Sequence, residues 1–307
     1  MAAACRFVLL ALAATAALPV SAADPPVAPA PRPAAAQPPP QLLPLQSERD
    51  ITYATIDGQK LQLDITRPKD GGPYPCIVCL HGGAWKLGSR RDVSSFADAV
   101  AARGYVVAAV SYRLAPKYKF PAQIEDARTA VRFLRANAKT YNLDPTRIGA
   151  VGFSAGAHLA LLLGVADKAA ELNGTLYLEQ DGRVQCVVSF FGPTDLSLYA
   201  ASPGLVDAYM VPLLGKEVKT DPKLYKRASP IEYVTKDAPP ILMIHGTFDL
   251  VVPIIHSERM LEKLRDVGVT AELIKVPGEG HGWSGPTMAR TTEDAVKFLD
   301  AHLKGKK

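Results

Sequence analysis

The sequence predicts an α/β fold, a mostly parallel twisted sheet with an antiparallel hairpin at one edge and helices on both faces. Three observations lead there. From residue 66 onward, short β-branched runs alternate with helical patterns, and single strands separated by single helices pair in parallel because each crossover returns the chain to the same end of the sheet. Two alternating runs, Ile51–Ile56 and Lys60–Thr66, flank Asp57-Gly58, a dipeptide suited to a tight hairpin turn. A chain of 307 residues that is 48% hydrophobic and 21% charged can cover such a sheet on both sides.

The elements follow in order. Arg6, an almost wholly apolar run from Phe7 to Leu18, and the small residues Ser21, Ala22 and Ala23 read as a signal peptide over residues 1–23. The run falls short of the roughly 20 residues a bilayer span needs, so the expectation is export, periplasmic or secreted, with no stable membrane span after processing. Residues 24–50 are rich in Pro and Ala without an apolar period, which predicts a disordered linker. Residues 51–307 then form a single domain. Its expected strands after the hairpin are Cys76–Leu80, Tyr105–Ser111, Arg147–Phe153, Cys186–Phe191, Ile241–His245 and Thr270–Val276. Helices are expected at Ser94–Arg103, Ala122–Ala138, Ala155–Gly164, His256–Val267 and near Thr291–Leu303. Residues 193–238 carry five prolines between two strands, and so long a connection predicts a lid-like insertion that helps to bind substrate.

Charge and cysteines exclude several classes. The formal net charge is +5, and the basic residues are dispersed apart from a loose group at Lys216, Lys219, Lys223, Lys226 and Arg227. No nucleic-acid partner is expected. Cys76 and Cys79 form a C-x-x-C, but inside a strand pattern their side chains point to opposite faces. Core packing is the expectation, and no metal site.

Gly152-Phe153-Ser154-Ala155-Gly156 follows an apolar strand and precedes an apolar helix. A serine on so sharp a turn is lifted above the sheet edge, and small neighbours let strand and helix approach. A hydroxyl is a weak nucleophile until a base, itself oriented by a carboxylate, takes its proton. Asp249 lies just past the strand ending at His245, and His281 lies in the glycine-rich loop after the last strand. Both sit at carboxyl ends of strands, where open α/β sheets build their sites. Asp195 is the second candidate acid. His158 and His245 are expected to be structural, His256 and His302 to lie at the surface. His81-Gly82-Gly83-Ala84-Trp85 follows the first parallel strand, where unhindered backbone can turn the N–H groups of Gly83 and Ala84, with that of Ala155, toward one oxyanion.

These motifs, with Ser111–Pro116 and Asp249–Pro253, resemble the hormone-sensitive-lipase-related branch of the α/β-hydrolases over about residues 51–303. The His81–Trp85 and Asp249–Pro253 forms are similar to its acetyl-esterase and feruloyl-esterase-like members. The resemblance implies the α/β-hydrolase fold, Ser154, Asp249 and His281 as a triad, and Gly83, Ala84 and Ala155 as oxyanion hole. It implies a serine carboxylesterase acting on short acyl esters, small or carbohydrate-linked, with acetyl or feruloyl groups on polysaccharide as the natural substrates and no cofactor. Larger lipase-like relatives carry an N-terminal helical cap that residues 24–50 cannot supply, which favours short acyl groups. An amidase or peptidase-like hydrolase and a non-catalytic binding protein are the alternatives on this fold. Trp85, Tyr112 and Trp283 neighbour the motifs and are the expected substrate contacts.

Overall fold

The computed structural model describes residues 42–167 and 171–305; the expected signal segment and residues 24–41 of the expected linker lie outside them. One eight-stranded sheet runs β1 (Leu45–Ile56), β2 (Gln59–Pro68), β4 (Val106–Val110), β3 (Tyr74–Leu80), β5 (Leu143–Phe153), β6 (Val187–Phe190), β7 (Ile241–Gly246), β8 (Ala271–Val276). The β1–β2 and β2–β4 pairs are antiparallel, and all the others are parallel. The hairpin therefore sits at one edge of a parallel sheet.

The linker boundary needs correction. β1 begins at Leu45, not at Ile51, and residues Leu45–Glu48 pair with β2 before a register shift at Glu48/Ile51. Ser47 to Asp50 are exposed, so this edge strand is held by backbone pairing and shows no apolar alternation for a sequence reading to detect.

Five principal helices cover the sheet: α1 (Ser94–Ala101), α2 (Ala122–Ala136), α3 (Ala155–Val165), α4 (Ile255–Asp266) and α5 (Gly285–Leu299). Phe96 and Val100 of α1 and Val296 and Leu299 of α5 pack on one face with Ile77 and Cys79. Ile124 of α2, Leu159 of α3 and Met260 of α4 pack on the other with Cys76, Val78 and Leu80. Cys76 and Cys79 thus lie on opposite faces, and burial pushes the Cys76 thiol up to about 12. Helix α5 starts six residues before the expected terminal helix, because Pro286 stands in its first turn. There the missing N–H has no helical partner to lose.

Residues 193–238 fold into short helical turns whose Met210, Leu213, Tyr225 and Ala228 are buried in the α2–α4 layer. Tyr225 and Met210 have no exposed surface.

The sheet order fixes where a site can form. From β3 the chain steps to β4 on one side and then crosses to β5 on the other, so β3 and β5 flank the point where direction reverses. Crevices open at the carboxyl ends of such neighbours. Leu80 pairs with Gly152, which sets the loop after β3 beside Ser154. Phe153, Phe190 and Ile244 form the next row toward the carboxyl ends, across β5, β6 and β7.

Candidate active site

Ser154 caps α3 with φ 52° and ψ −117°, a left-handed backbone that costs a non-glycine residue on the order of 1–3 kcal/mol. The flanking glycines make the turn possible. A Cβ on Gly152 would collide with the backbone of Gly156, and one on Gly156 with the carbonyls of Leu80 and His81.

The hydroxyl meets a relay. His281 Nε2 lies 2.8 Å from Ser154 Oγ, and its Nδ1 lies 2.7 Å from Asp249 Oδ2. A carboxylate only accepts, so Nδ1 carries the ring proton and Nε2 is free to accept from the serine. Asp249 is buried, and its Oδ1 accepts from the N–H groups of Val251 at 2.9 Å and Val252 at 2.8 Å. Burial by itself would raise this carboxyl. Hydrogen bonds from His245, His281 and Val252 hold it well below the usual carboxylate range.

His245, expected to be only structural, joins this cluster. Its Nε2 donates to the Val252 carbonyl at 2.8 Å and approaches Asp249 Oδ2 at 3.3 Å, and its Nδ1 lies 2.7 Å from Ser257 Oγ. The spacing His245-Gly-Thr-Phe-Asp249 was the available signal. Asp195 is elsewhere: it caps the turn at Leu196, accepting from the Ser197 N–H at 3.0 Å, and pairs with Arg259 at 3.6 Å.

Gly83, Ala84 and Trp85 all have positive φ, 108°, 51° and 59°. The loop closes on itself through Lys86 and Leu87 N–H groups donating to the Gly83 carbonyl at 3.0 and 2.9 Å. Gly83 and Ala84 line a cavity of about 430 Å³ together with Ser154 and His281. Ala155, buried, opens α3 directly after Ser154. Among the described residues, none of these three N–H groups is spent on another protein acceptor.

Of the three expected substrate contacts, Trp85 lines this cavity, while its indole N–H donates to His158 Nδ1 at 3.2 Å. His158 Nε2 in turn donates to the Ala228 carbonyl at 2.7 Å; burial depresses this imidazole to about 4, outweighing that bond, so it stays neutral. Tyr112 is not at the site. It is buried behind the loop, stacked on His81 at 4.3 Å with its hydroxyl donating to the His81 carbonyl at 2.8 Å. An apolar ring with one polar tip met its hydrogen bond in the backbone, the usual fate of a buried tyrosine. Trp283 lines a second, neighbouring cleft.

His256 is also corrected: it is buried, not at the surface, with Nδ1 accepting from the Thr194 N–H at 3.2 Å. Its spacing with Met260 and Leu264 on the buried face of α4 was the missed signal. His302 is half-buried against Phe298, 4.5 Å between ring centres. The insertion supplies Pro193, Tyr199 and Tyr209 to the cavity wall, and Lys86 Nζ donates to the Ala208 carbonyl at 3.1 Å.

A parallel sheet with an antiparallel edge, a serine on a sharp turn after β5, an aspartate after β7 and a histidine after β8 define an α/β-hydrolase. The family model described as BD-FAE matches residues 63–264, and the chain belongs to that family. Esterase LipC of Mycobacterium tuberculosis is 33% identical over 250 residues, 79% of this chain and 61% of that protein. The chain spans about three-fifths of the length of such curated relatives. A truncated carbohydrate esterase from gut microbiota superposes with a TM-score of 0.72 at 30% identity, covering 84% of this chain and 96% of that one. An acetyl ester-xyloside bifunctional hydrolase from Caldicellulosiruptor lactoaceticus gives 0.70 at 26% identity, over 82% and 95%.

Proposed function

We propose that this chain is an exported serine carboxylesterase that removes short acyl groups, acetyl or feruloyl among them, from small or carbohydrate-linked esters. The observation that carries the reading is the unbroken line from Ser154 Oγ through His281 to Asp249, 2.8 and then 2.7 Å. The relatives named as esterases and the carbohydrate esterases of similar structure support the substrate class. A cavity of about 430 Å³ walled by Phe191, Tyr199 and Tyr209 is of a size that suits a small ligand.

The chemistry follows from these positions. Ser154 Oγ attacks the ester carbonyl carbon as its proton passes to His281 Nε2, while Asp249 stabilises the imidazolium that results. The carbonyl oxygen becomes an oxyanion that the N–H groups of Gly83, Ala84 and Ala155 receive. Donors aimed at charge present only in the transition state lower the barrier instead of merely tightening binding. The alkoxy C–O bond breaks, and the leaving oxygen takes the proton from Nε2. Water, deprotonated by the same Nε2, then attacks the acyl carbon, the acyl–Oγ bond breaks, and Ser154 regains its proton.

The test is a panel of p-nitrophenyl acetate, butyrate and octanoate with methyl ferulate and acetylated xylan, run on the wild type and Ser154→Ala, with fluorophosphonate labelling of both. The variant should lose label and on the order of 10⁶-fold in kcat. Near-full turnover by the variant would overturn the assignment, and highest turnover on octanoate would overturn the short-acyl reading. Export rests on residues 1–23 alone. N-terminal sequencing of the protein recovered from a secreting host checks it, and a product beginning before residue 20 counts against cleavage.

A further inference from the structure

The cavity beside Ser154 holds a charged group that acyl transfer leaves unused. Among the described residues that line it, Lys86 is the one lysine, and there is no Asp, Glu or Arg. The backbone fixes where this side chain starts, because the Lys86 N–H donates to the Gly83 carbonyl at 3.0 Å and closes the turn that carries Gly83 and Ala84. Its Nζ crosses to the insertion and donates to the Ala208 carbonyl at 3.1 Å. An ammonium donates through three N–H bonds, and this carbonyl takes one of them. Among the described residues Lys86 has no ion-pair partner. Asp207, next to Ala208, is exposed. Asp249 does not line the cavity, and its oxygens are held by His281 and the Val251 and Val252 amides.

Two hydroxyls belong to the same lining. Tyr209 follows Ala208 directly, and Tyr199 lines the cavity with it. Among the described residues neither phenol has a hydrogen-bond partner. Burial pushes the Tyr199 hydroxyl up, so it stays protonated and able to donate. A cation and two unspent hydroxyls thus border a space whose other walls include Trp85, Phe191 and Val251. Such half-enclosed surroundings strengthen the attraction between opposite charges relative to open water. Donors left without an acceptor discriminate strongly in favour of the group that supplies one. One ammonium balances one negative charge. That fits a carboxylate, whereas a phosphate monoester carries about −1.5 to −2 at neutral pH and would leave charge unmatched.

We propose that the cavity selects esters in which one half carries a carboxylate, and that Lys86, beside the Tyr199 and Tyr209 hydroxyls, is the residue that recognises it. This rests on the reading of Ser154 as the nucleophile of an esterase, and it narrows the substrates of that same site. The carboxylate takes no part in the bond changes; it decides which ester stands over Ser154. Either the acyl half or the alcohol half carries it, and matched substrates separate the two.

The experiment uses two isosteric pairs. Monomethyl succinate against methyl succinamate varies the acyl half, and acetoxyacetate against 2-acetoxyacetamide varies the alcohol half. Each kcat/KM is divided by the rate constant of hydroxide with the same ester, which removes differences in intrinsic reactivity. The wild type should favour carboxylate over amide in at least one pair by about 10-fold or more, the scale of a hydrogen bond to a charged group. Lys86→Met and Lys86→Gln should each bring that ratio close to one, and Lys86→Arg, which keeps the charge, should retain most of it. A wild type without carboxylate preference in either pair overturns the proposal, whatever the variants do. A preference that survives both Lys86→Met and Lys86→Gln overturns it too. Slowing of carboxylate and amide esters by the same factor is that outcome, and it reduces Lys86 to a tie between the loop and the insertion. Failure to turn over any of the four esters would instead count against the esterase reading, and the two failures are therefore distinguishable.

Discussion

His245 and His281 converge on one oxygen of Asp249, Nε2 of the first at 3.3 Å and Nδ1 of the second at 2.7 Å from Oδ2. The other oxygen is taken by the Val251 and Val252 amides. Three donors, His281 Nδ1 and the Val251 and Val252 amides, therefore hold the carboxylate beside His245, and it cannot rotate away from His281 without leaving a donor unpaired in a buried place.

Replacing His245 tests that hold. His245→Phe removes the donor and should lower kcat/KM by on the order of 10-fold, the worth of a hydrogen bond to a charged group. His245→Gln, which can place an N–H near the Nε2 position, should recover part of the loss. Equal losses in Phe and Gln with unchanged pH–rate profiles would reduce His245 to packing.

The depressed carboxyl of Asp249 has a consequence for acid stability. A group lowered in the folded state contributes stability that is fully present above its unfolded value, about 3.9, and is lost as pH falls through the lower folded value. Unfolding free energy from denaturant titrations should therefore decline as pH is taken below about 4. That decline should be shallower in Asp249→Asn, and identical acid limbs would refute the linkage.

Ser154 holds a left-handed conformation that glycine adopts freely. Ser154→Gly should be inactive yet more stable by on the order of 1 kcal/mol, a rise of ~2–4 °C in Tm. Gly156→Ala should act in the opposite sense, since a Cβ there strikes the Leu80 and His81 carbonyls. A loss of ~3 kcal/mol or failure to fold is expected. Calorimetry of the two variants decides.

Arg113 donates through Nε to Asp126 at 2.9 Å and through its backbone N–H at 2.8 Å, both groups buried. This pins the Ser111–Pro116 segment to α2. Asp126→Ala leaves a buried guanidinium with Glu125 at 3.3 Å as its remaining acidic partner. A cost of about 3 kcal/mol is expected, at the lower end for a broken buried pair, and urea titration measures it.

Trp85 ties the Gly83–Trp85 loop to His158, and His158 binds the insertion at Ala228. Trp85→Phe leaves His158 Nδ1 unpaired, with an expected cost of ~1–3 kcal/mol. If the loop depends on that tie, kcat should fall while KM holds. A changed KM with constant kcat would assign Trp85 to substrate contact alone.

Much of the sheet was legible because a buried parallel strand must be a continuous apolar run and its covering helices amphipathic. Cys76–Leu80 and His256–Val267 declared themselves that way, whereas Ala155–Gly164 is buried nearly all round and showed only as a continuous apolar run. The edge strand at Leu45–Asp50 did not, since backbone pairing with β2 holds it whatever its side chains are. Helix α5 started early because Pro286 is harmless in a first turn. Ser154, Asp249 and His281 were legible because each follows a strand at the edge where a parallel sheet can place chemistry.

Sequence by itself determined the order of strands and helices and the residues at their carboxyl ends, because periodicity and turn chemistry are local properties. Tertiary structure alone decided that Tyr112 backs the loop instead of lining the site, that His256 is buried, and that His245 shares Asp249 with His281. These are contacts between segments far apart in the chain, and their energies depend on which faces the crossovers bring together, which no local pattern records.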